Sequence, residues 1–169
     1  QTQSRIDVNF LLDNNIDFVV SYGYRYIIDK PVVKFFEKKI INLHISYLPW
    51  NKGASPNLWS VVEETKKGVS IHYVDSTLDT GEIIVQKELH FDDYVSLKES
   101  YLVLKREIEN LLKLNWDDIV NNKIKSTEQT SNGSFHTVKQ TNDLMKKLNI
   151  KDWDVTFEEI KNKYEEIKK

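Results

Sequence analysis

The sequence predicts an α/β protein whose sheet begins mostly parallel, ends in an antiparallel edge and is followed by appended helices. Three observations carry this. Between residues 17 and 91 short β-branched runs alternate with helical patterns, in the order strand, helix, strand, loop and helix, strand, strand. The last two runs, Val69 to Val74 and Glu82 to Phe91, are joined by the short loop Asp75 to Gly81, which suits an antiparallel pair. Beyond them Leu97, Tyr101, Leu104, Ile108, Leu111 and Leu112 recur at helical spacings of three and four. The expected organisation is a core over 1–92 and a helical extension over 93–169 packed on it.

Each element has a local cause. Arg5 to Asn15 places Ile6, Val8, Phe10, Leu11 and Leu12 among polar residues, an amphipathic helix. Asp17 to Tyr22 reads as a buried strand closed by Gly23, and Asp29-Lys30-Pro31 opens a helix with Val32, Val33, Phe35 and Phe36 on its inner face. Ile40 to His44 is short, apolar and β-branched, hence a strand. Ser46 to Ser55 holds Pro49, Asn51 and Gly53 and reads as a loop. Ser55 is then expected to cap a helix beginning at Pro56, with Gly68 ending that segment.

The remainder is less patterned. Lys123 to Thr137 is polar, with Asn132-Gly133 as a turn signal, and reads as a loop with room for a short strand. Thr141 is the expected start of one late helix. Thr156-Phe157-Glu158-Glu159 is a capping box for another.

Composition narrows the function. With 169 residues the chain holds about one domain, and 24 Lys and Arg against 26 Asp and Glu leave no basic stripe for extended nucleic-acid contact. The absence of cysteine removes thiol nucleophiles and thiolate metal sites and suits a cytoplasmic location. No apolar run approaches the roughly 18 residues of a membrane span, so no membrane partner is expected. The one methionine is Met145, so Gln1 is not a translation start as written.

Asn42 and His44 lie two apart on the strand Ile40 to His44 and therefore face the same space. Asp79, in Thr77-Leu78-Asp79-Thr80-Gly81, sits in a loop at a second strand end. In open α/β sheets ligands bind beyond the carboxyl ends of strands, where His44 and the Tyr22 to Ile28 loop also lie. His72 follows Ser70 on a strand and either supports a ligand loop or is a satisfied, half-buried imidazole. Lys52 either meets a phosphate or carboxylate or is an exposed loop lysine. Trp50 and Trp59 shape a pocket or belong to the core, and His136 is structural or incidental. His44, His72, Asp75 and Asp79 would suit zinc or iron, but no compact ligand spacing is present and no metal is expected.

Three ordered motifs go further: Asn42-Leu43-His44-Ile45-Ser46-Tyr47-Leu48-Pro49, Gly68-Val69-Ser70-Ile71-His72-Tyr73-Val74 and Leu78-Asp79-Thr80-Gly81-Glu82-Ile83-Ile84. Together they resemble the folate-dependent formyltransferases, a family that includes glycinamide ribonucleotide, methionyl-tRNA and nucleotide-sugar formyltransferases. The resemblance covers roughly residues 16 to 90. It implies a Rossmann-like formyltransferase fold, Asn42, His44 and Asp79 as catalytic residues, and 10-formyltetrahydrofolate as formyl donor. The donor would lie between the loop holding Arg25, Tyr26 and Ile27 and the loop running from Val74 and Asp75 through Leu78. Family members open with a glycine-containing βα unit, and no glycine precedes Gly23, so the first βα unit is expected to be missing.

Formyl transfer needs a donor for the developing oxyanion, which Asn42 supplies, an effect of about 3 to 4 kcal/mol in a water-poor site. It also needs a route for the amine proton: His44 can serve as cationic donor or proton carrier, its charged form favoured by a nearby Asp79, and Asp79 can itself accept the proton through water. The expected acceptor is the primary amine of a small metabolite, a nucleotide-linked amino sugar being the leading candidate. Glycinamide ribonucleotide or methionyl-tRNA formylation, hydrolysis of formyltetrahydrofolate and a non-catalytic folate-binding module stand as alternatives, and homodimer formation is left open.

Overall fold

The computed structural model describes residues 2–129 and 133–168. The chain runs α1 (Val8–Asp13), β1 (Val19–Ser21), α2 (Lys30–Phe35), β2 (Ile40–His44), β3 (Lys52–Gly53), α3 (Pro56–Val62), β4 (Lys67–Tyr73) and β5 (Ile83–Leu89). It continues through α4 (Leu97–Val120), β6 (Phe135–His136), α5 (Val138–Lys147) and α6 (Phe157–Lys168). Among the described residues no helix is long and apolar enough to cross a membrane.

Four strands form one sheet in the order β1-β2-β4-β5. β1 and β2 are parallel, Val19 beside Ile40 and Ser21 beside Asn42, while β2–β4 and β4–β5 are antiparallel. The sheet is thus mixed, with a single parallel pairing among the described strands rather than a mostly parallel order. The cause is α3. A parallel return needs a crossover that carries the chain back along the sheet, but a seven-residue helix is only about 10 Å long. α3 packs instead against α4 and α6, and the chain re-enters the sheet beside the end of β2, with Ser70 opposite His44.

β2 shows how alternation divides the two faces. Ile41 and Leu43 join Val69, Ile71 and Tyr73 in a cluster that Leu104, Ile108, Leu111 and Ile119 of α4 cover. Each fully buried side chain of this kind contributes roughly 1.5–3 kcal/mol. Ile40 turns the other way, into a cluster with Ile6, Leu11, Val32 and Phe36, so the face carrying Asn42 and His44 is apolar at one end and polar at the other. A third cluster gathers Leu58, Val61 and Val62 of α3 with Leu97, Leu144, Leu148, Phe157 and Ile160. Apolar contact therefore runs continuously across residues 92 and 93.

Helix starts follow their caps. α4 opens on a capping box of Ser96 and Glu99, and α6 on the expected box, Thr156 and Glu159 each bonding the other's amide. α5 begins at Val138 on a box of Thr137 and Gln140, earlier than the expected Thr141, whose hydroxyl instead accepts the Trp59 indole N–H at 2.9 Å. Ser55 precedes α3 but its φ of 50° turns its side chain away from capping, and no cap bond forms. Gly68 does not end α3; it lies inside β4, where a Cβ would stand 2.3 Å from the Lys87 carbonyl oxygen. Of the Asn132-Gly133 turn signal, Asn132 lies outside the described residues.

β3 and β6 form a separate two-stranded parallel pair, Lys52 beside Phe135 and Gly53 beside His136. This pair fastens the late polar segment to the loop after β2. His136 is buried, stacked on Trp59 with ring centroids 3.7 Å apart, and its Nε2 stands 3.0 Å from a Glu63 carboxylate oxygen, so it packs β6 against α3 and its C-cap.

Candidate active site

Register brings the polar residues of β2 and β4 together. Asn42 lies opposite His72 and His44 opposite Ser70, so all four share one face of the sheet. Asp79 arrives from the loop between β4 and β5 with a left-handed φ of 56°, a conformation that aspartate tolerates better than most residues. Its carboxylate is the meeting point. Oδ1 accepts the Asn42 amide at 3.2 Å and lies 3.6 Å from His72 Nε2. Oδ2 accepts the Gly53 main-chain N–H at 2.9 Å and lies 3.8 Å from His44 Nδ1.

Fixed acceptors decide which imidazole nitrogens carry protons. A carbonyl oxygen only accepts, so His72 donates from Nδ1 to the Tyr73 carbonyl at 2.7 Å and offers its Nε2 lone pair to the Asn42 amide at 3.2 Å. His44 donates from Nε2 to the Asn51 carbonyl at 3.2 Å, leaving its Nδ1 edge toward Asp79. Asn42 thus directs one N–H at His72 and one at Asp79.

Asp79 pulls His44 toward its charged form, as expected, but burial opposes it. Burial pushes its imidazole below the ordinary value and outweighs the opposing pull of Asp79, so His44 is neutral at pH 7. For Asp79, burial alone would raise the carboxyl. The His44 and His72 rings and the Gly53 amide overcome that and hold it at about 2. The resting site pairs an ionised carboxylate with a neutral His44.

The two loops expected to hold the folate donor adjoin each other, since Tyr24, Ile28 and Val74 pack in one apolar cluster. Their side chains divide. Val74 faces that cluster; Arg25 is exposed, and Ile27 and Leu78 are 77% and 45% exposed. Tyr26 is half-buried with the Arg5 guanidinium 5.0 Å from its ring centroid. Asp75 faces its own loop, accepting Thr77 N–H at 2.9 Å and the Thr80 hydroxyl at 2.8 Å. Lys52 lies half-buried in β3, its main-chain N–H bonded to the Ser134 carbonyl at 2.9 Å. Among the described residues no three His, Asp or Glu side chains are arranged as a set for a metal ion.

Asn42, His44, His72 and Asp79 therefore converge. Two contributors escape sequence reasoning: the Gly53 amide on Asp79 and the Asn51 carbonyl on His44. Both are main-chain groups. The one signal for the first is Gly53 itself, a glycine in a loop; here φ is 86° and a Cβ would meet the His136 carbonyl oxygen at 2.2 Å. Asn51 is buried and reciprocally bonded to the Thr65 hydroxyl, which fixes the carbonyl that faces His44.

Residues 6–112 match the formyl transferase family model. Among solved structures, the formyltransferase PseJ from Anoxybacillus kamchatkensis, in complex with UDP-4,6-dideoxy-4-formamido-L-AltNAc and tetrahydrofolate, is 45% identical. That match covers 97% of this chain and 86% of PseJ with a TM-score of 0.90. The methionyl-tRNA formyltransferase of Finegoldia magna is 40% identical over 91 residues, 53% of this chain and 29% of the relative. That of Clostridium tetani is 28% identical over 156 residues, 92% of this chain and 49% of the relative. The chain thus spans less than half the length of these two curated relatives. Its matched residues contain the whole cluster around Asp79, and the chain belongs to the formyl transferase family.

Proposed function

We propose that the protein is an N-formyltransferase that takes its formyl group from 10-formyltetrahydrofolate and delivers it to the amine of a nucleotide-linked amino sugar. One observation carries the acceptor class: 45% identity over 97% of the chain to PseJ, whose complex holds a UDP-linked 4-formamido sugar and tetrahydrofolate. The corresponding acceptor is the UDP-linked 4-amino sugar. Formyl transfer joins the amine nitrogen to the formyl carbon, breaks the bond from that carbon to the folate nitrogen and releases tetrahydrofolate.

The residues around Asp79 support each requirement. Asn42 holds its N–H groups in two bonds of 3.2 Å, at the long end of the range, so one turns to the developing oxyanion at little cost. His44, neutral and with Nδ1 no nearer than 3.8 Å to the Asp79 carboxylate, takes the proton that the amine loses and passes it to the departing folate nitrogen, so that tetrahydrofolate leaves protonated. A carboxyl held at about 2 is a weak proton acceptor and a strong fixed charge. Asp79 therefore acts on His44, stabilising the imidazolium from 3.8 Å away. His72 orients Asn42 through its Nε2 lone pair.

The test is formyl transfer from 10-formyltetrahydrofolate to a UDP-linked 4-amino sugar, to methionyl-tRNA and to water, in the full-length protein. Transfer to the sugar alone is expected, with Asn42→Ala reducing kcat on the order of 10²–10³-fold. His44→Ala and Asp79→Ala should also lose turnover while keeping the fold. Methionyl-tRNA as the better acceptor would overturn the sugar assignment, formate release without amine would favour hydrolysis, and wild-type rates in all three variants would remove the cluster from catalysis.

A further inference from the structure

The polar stretch between α4 and α5 carries no motif, yet it touches both loops that meet at Asp79. On its first side, Thr127 and Ile83 exchange main-chain bonds of 2.8 Å each, and Ser126 bonds the Glu82 carboxylate. Gln129 then directs both N–H bonds of Nε2 at main-chain carbonyls, that of Asp79 at 2.9 Å and that of Gly81 at 2.8 Å. On its second side, the Ser134 hydroxyl accepts the Asn51 amide at 2.9 Å, the Ser134 carbonyl accepts Lys52 N–H at 2.9 Å and the His136 carbonyl accepts Ala54 N–H at 2.8 Å. One segment thus holds the loop that carries the carboxylate and the loop that carries its amide donor, Gly53.

Gln129 addresses a turn that needs holding. Asp79 sits at a φ of 56°, and Gly81 presses so close to β4 that a Cβ would stand 1.9 Å from the Tyr73 carbonyl oxygen. A planar amide with two hydrogens fits two carbonyls two residues apart in such a turn. The arrangement has a cost, because Gln129 Oε1 is buried and finds no hydrogen-bond partner among the described residues. An apolar side chain of the same length would avoid that cost and forfeit the clamp. The clamp is therefore what this glutamine contributes.

We propose that Gln129 is a positioning residue for formyl transfer, fixing Asp79 against Asn42, His44 and the Gly53 amide by clamping the Asp79 and Gly81 carbonyls. This rests on the formyl-transfer reading of the site. Gln129 touches none of the reacting groups and acts through Asp79. Its effect is on geometry: displacing a catalytic group by about 1 Å can cost on the order of 10²-fold in rate.

The experiment compares wild type, Gln129→Met, which keeps length and volume and removes both donors, and Lys125→Ala, an exposed position in the same stretch. Two quantities are read: kcat and KM for formyl transfer, and titration of the Asp79 carboxyl by carbon NMR. Gln129→Met is expected to lower kcat about 10- to 100-fold with KM for the acceptor nearly unchanged, and to move the Asp79 titration upward from about 2. Lys125→Ala is expected to match wild type in both. A role confined to folding would lower thermal stability and leave kcat per folded molecule and the Asp79 titration unchanged, which would overturn the proposal. If Gln129→Met does not fold, Gln129→Asn, one methylene too short to reach both carbonyls, is expected to give the same upward titration, and an unchanged titration there overturns the proposal equally. Absence of formyl transfer by wild type would refute the function, while the Asp79 titration would still decide the clamp.

Discussion

Ser70 shows how one buried hydroxyl supports the site without entering it. It is fully buried on β4, donates to the Ser46 carbonyl at 2.6 Å and accepts the Leu48 amide at 3.1 Å and the Gln86 side-chain amide at 2.8 Å. These bonds hold the turn between His44 and Asn51. Ser70→Ala would strand the buried Leu48 N–H and take one acceptor from the half-buried Gln86 amide, a loss of about 1–3 kcal/mol of unfolding free energy. Urea denaturation reads it directly, and an unchanged midpoint would show that the donors find other acceptors. The same residue explains why part of the site was legible. Asn42 with His44, and Ser70 with His72, are pairs two apart on strands, and a period of two is a local property of the chain. The Gly53 N–H and the Gln129 side-chain amide reach Asp79 across 26 and 50 residues, one from the main chain and the other onto main-chain carbonyls, so no local spacing pattern announces either contact.

At the scale of elements, propensity and pairing have different reach. The bounds of β2 agree with the sequence expectation because a β-branched run ends where its composition does. Strand direction in β4 was not legible, since it depends on where α3 finds apolar partners, and those lie in α4 and α6, far along the chain. Gly68 and Gly53 carry the same lesson in opposite settings. A glycine reads as a break, but Gly68 lets β4 lie against Lys87 and Gly53 lets β3 lie against β6. Gly53→Ala should therefore act on the β3–β6 pair as a unit. Its Cβ would overlap the His136 carbonyl oxygen at 2.2 Å, at a φ of 86° that alanine disfavours. The expected cost is about 1–3 kcal/mol, a fall of several degrees in Tm. Turnover should fall further than stability, because the amide that bonds Asp79 moves with the strand. A variant with wild-type kcat would separate the pair from the site.

For the molecule as a whole, acid behaviour should follow the buried cluster more than the formal charge, which is only −2 at pH 7. Burial lowers the His44 value in the folded state, so below about pH 6.5 the unfolded chain binds a proton that the folded chain refuses. Its contribution is complete above that pH and declines as pH falls. Asp79 acts lower in the range. Its carboxyl drops from an ordinary 3.8 to about 2 on folding, so its contribution is present above the ordinary value and is lost as pH falls through about 2. Both groups make acid destabilising, in two successive windows. Unfolding free energy measured in urea should fall between pH 7 and pH 5, and His44→Gln, which cannot titrate, should flatten that slope by up to about 1.4 kcal/mol per pH unit. Were His44 instead charged in the folded state through Asp79, the sign would reverse and stability would rise as pH drops from 7 to 6. The slope of wild type against His44→Gln therefore tells a neutral His44, free to accept a proton beside an ionised Asp79, from a permanently cationic one.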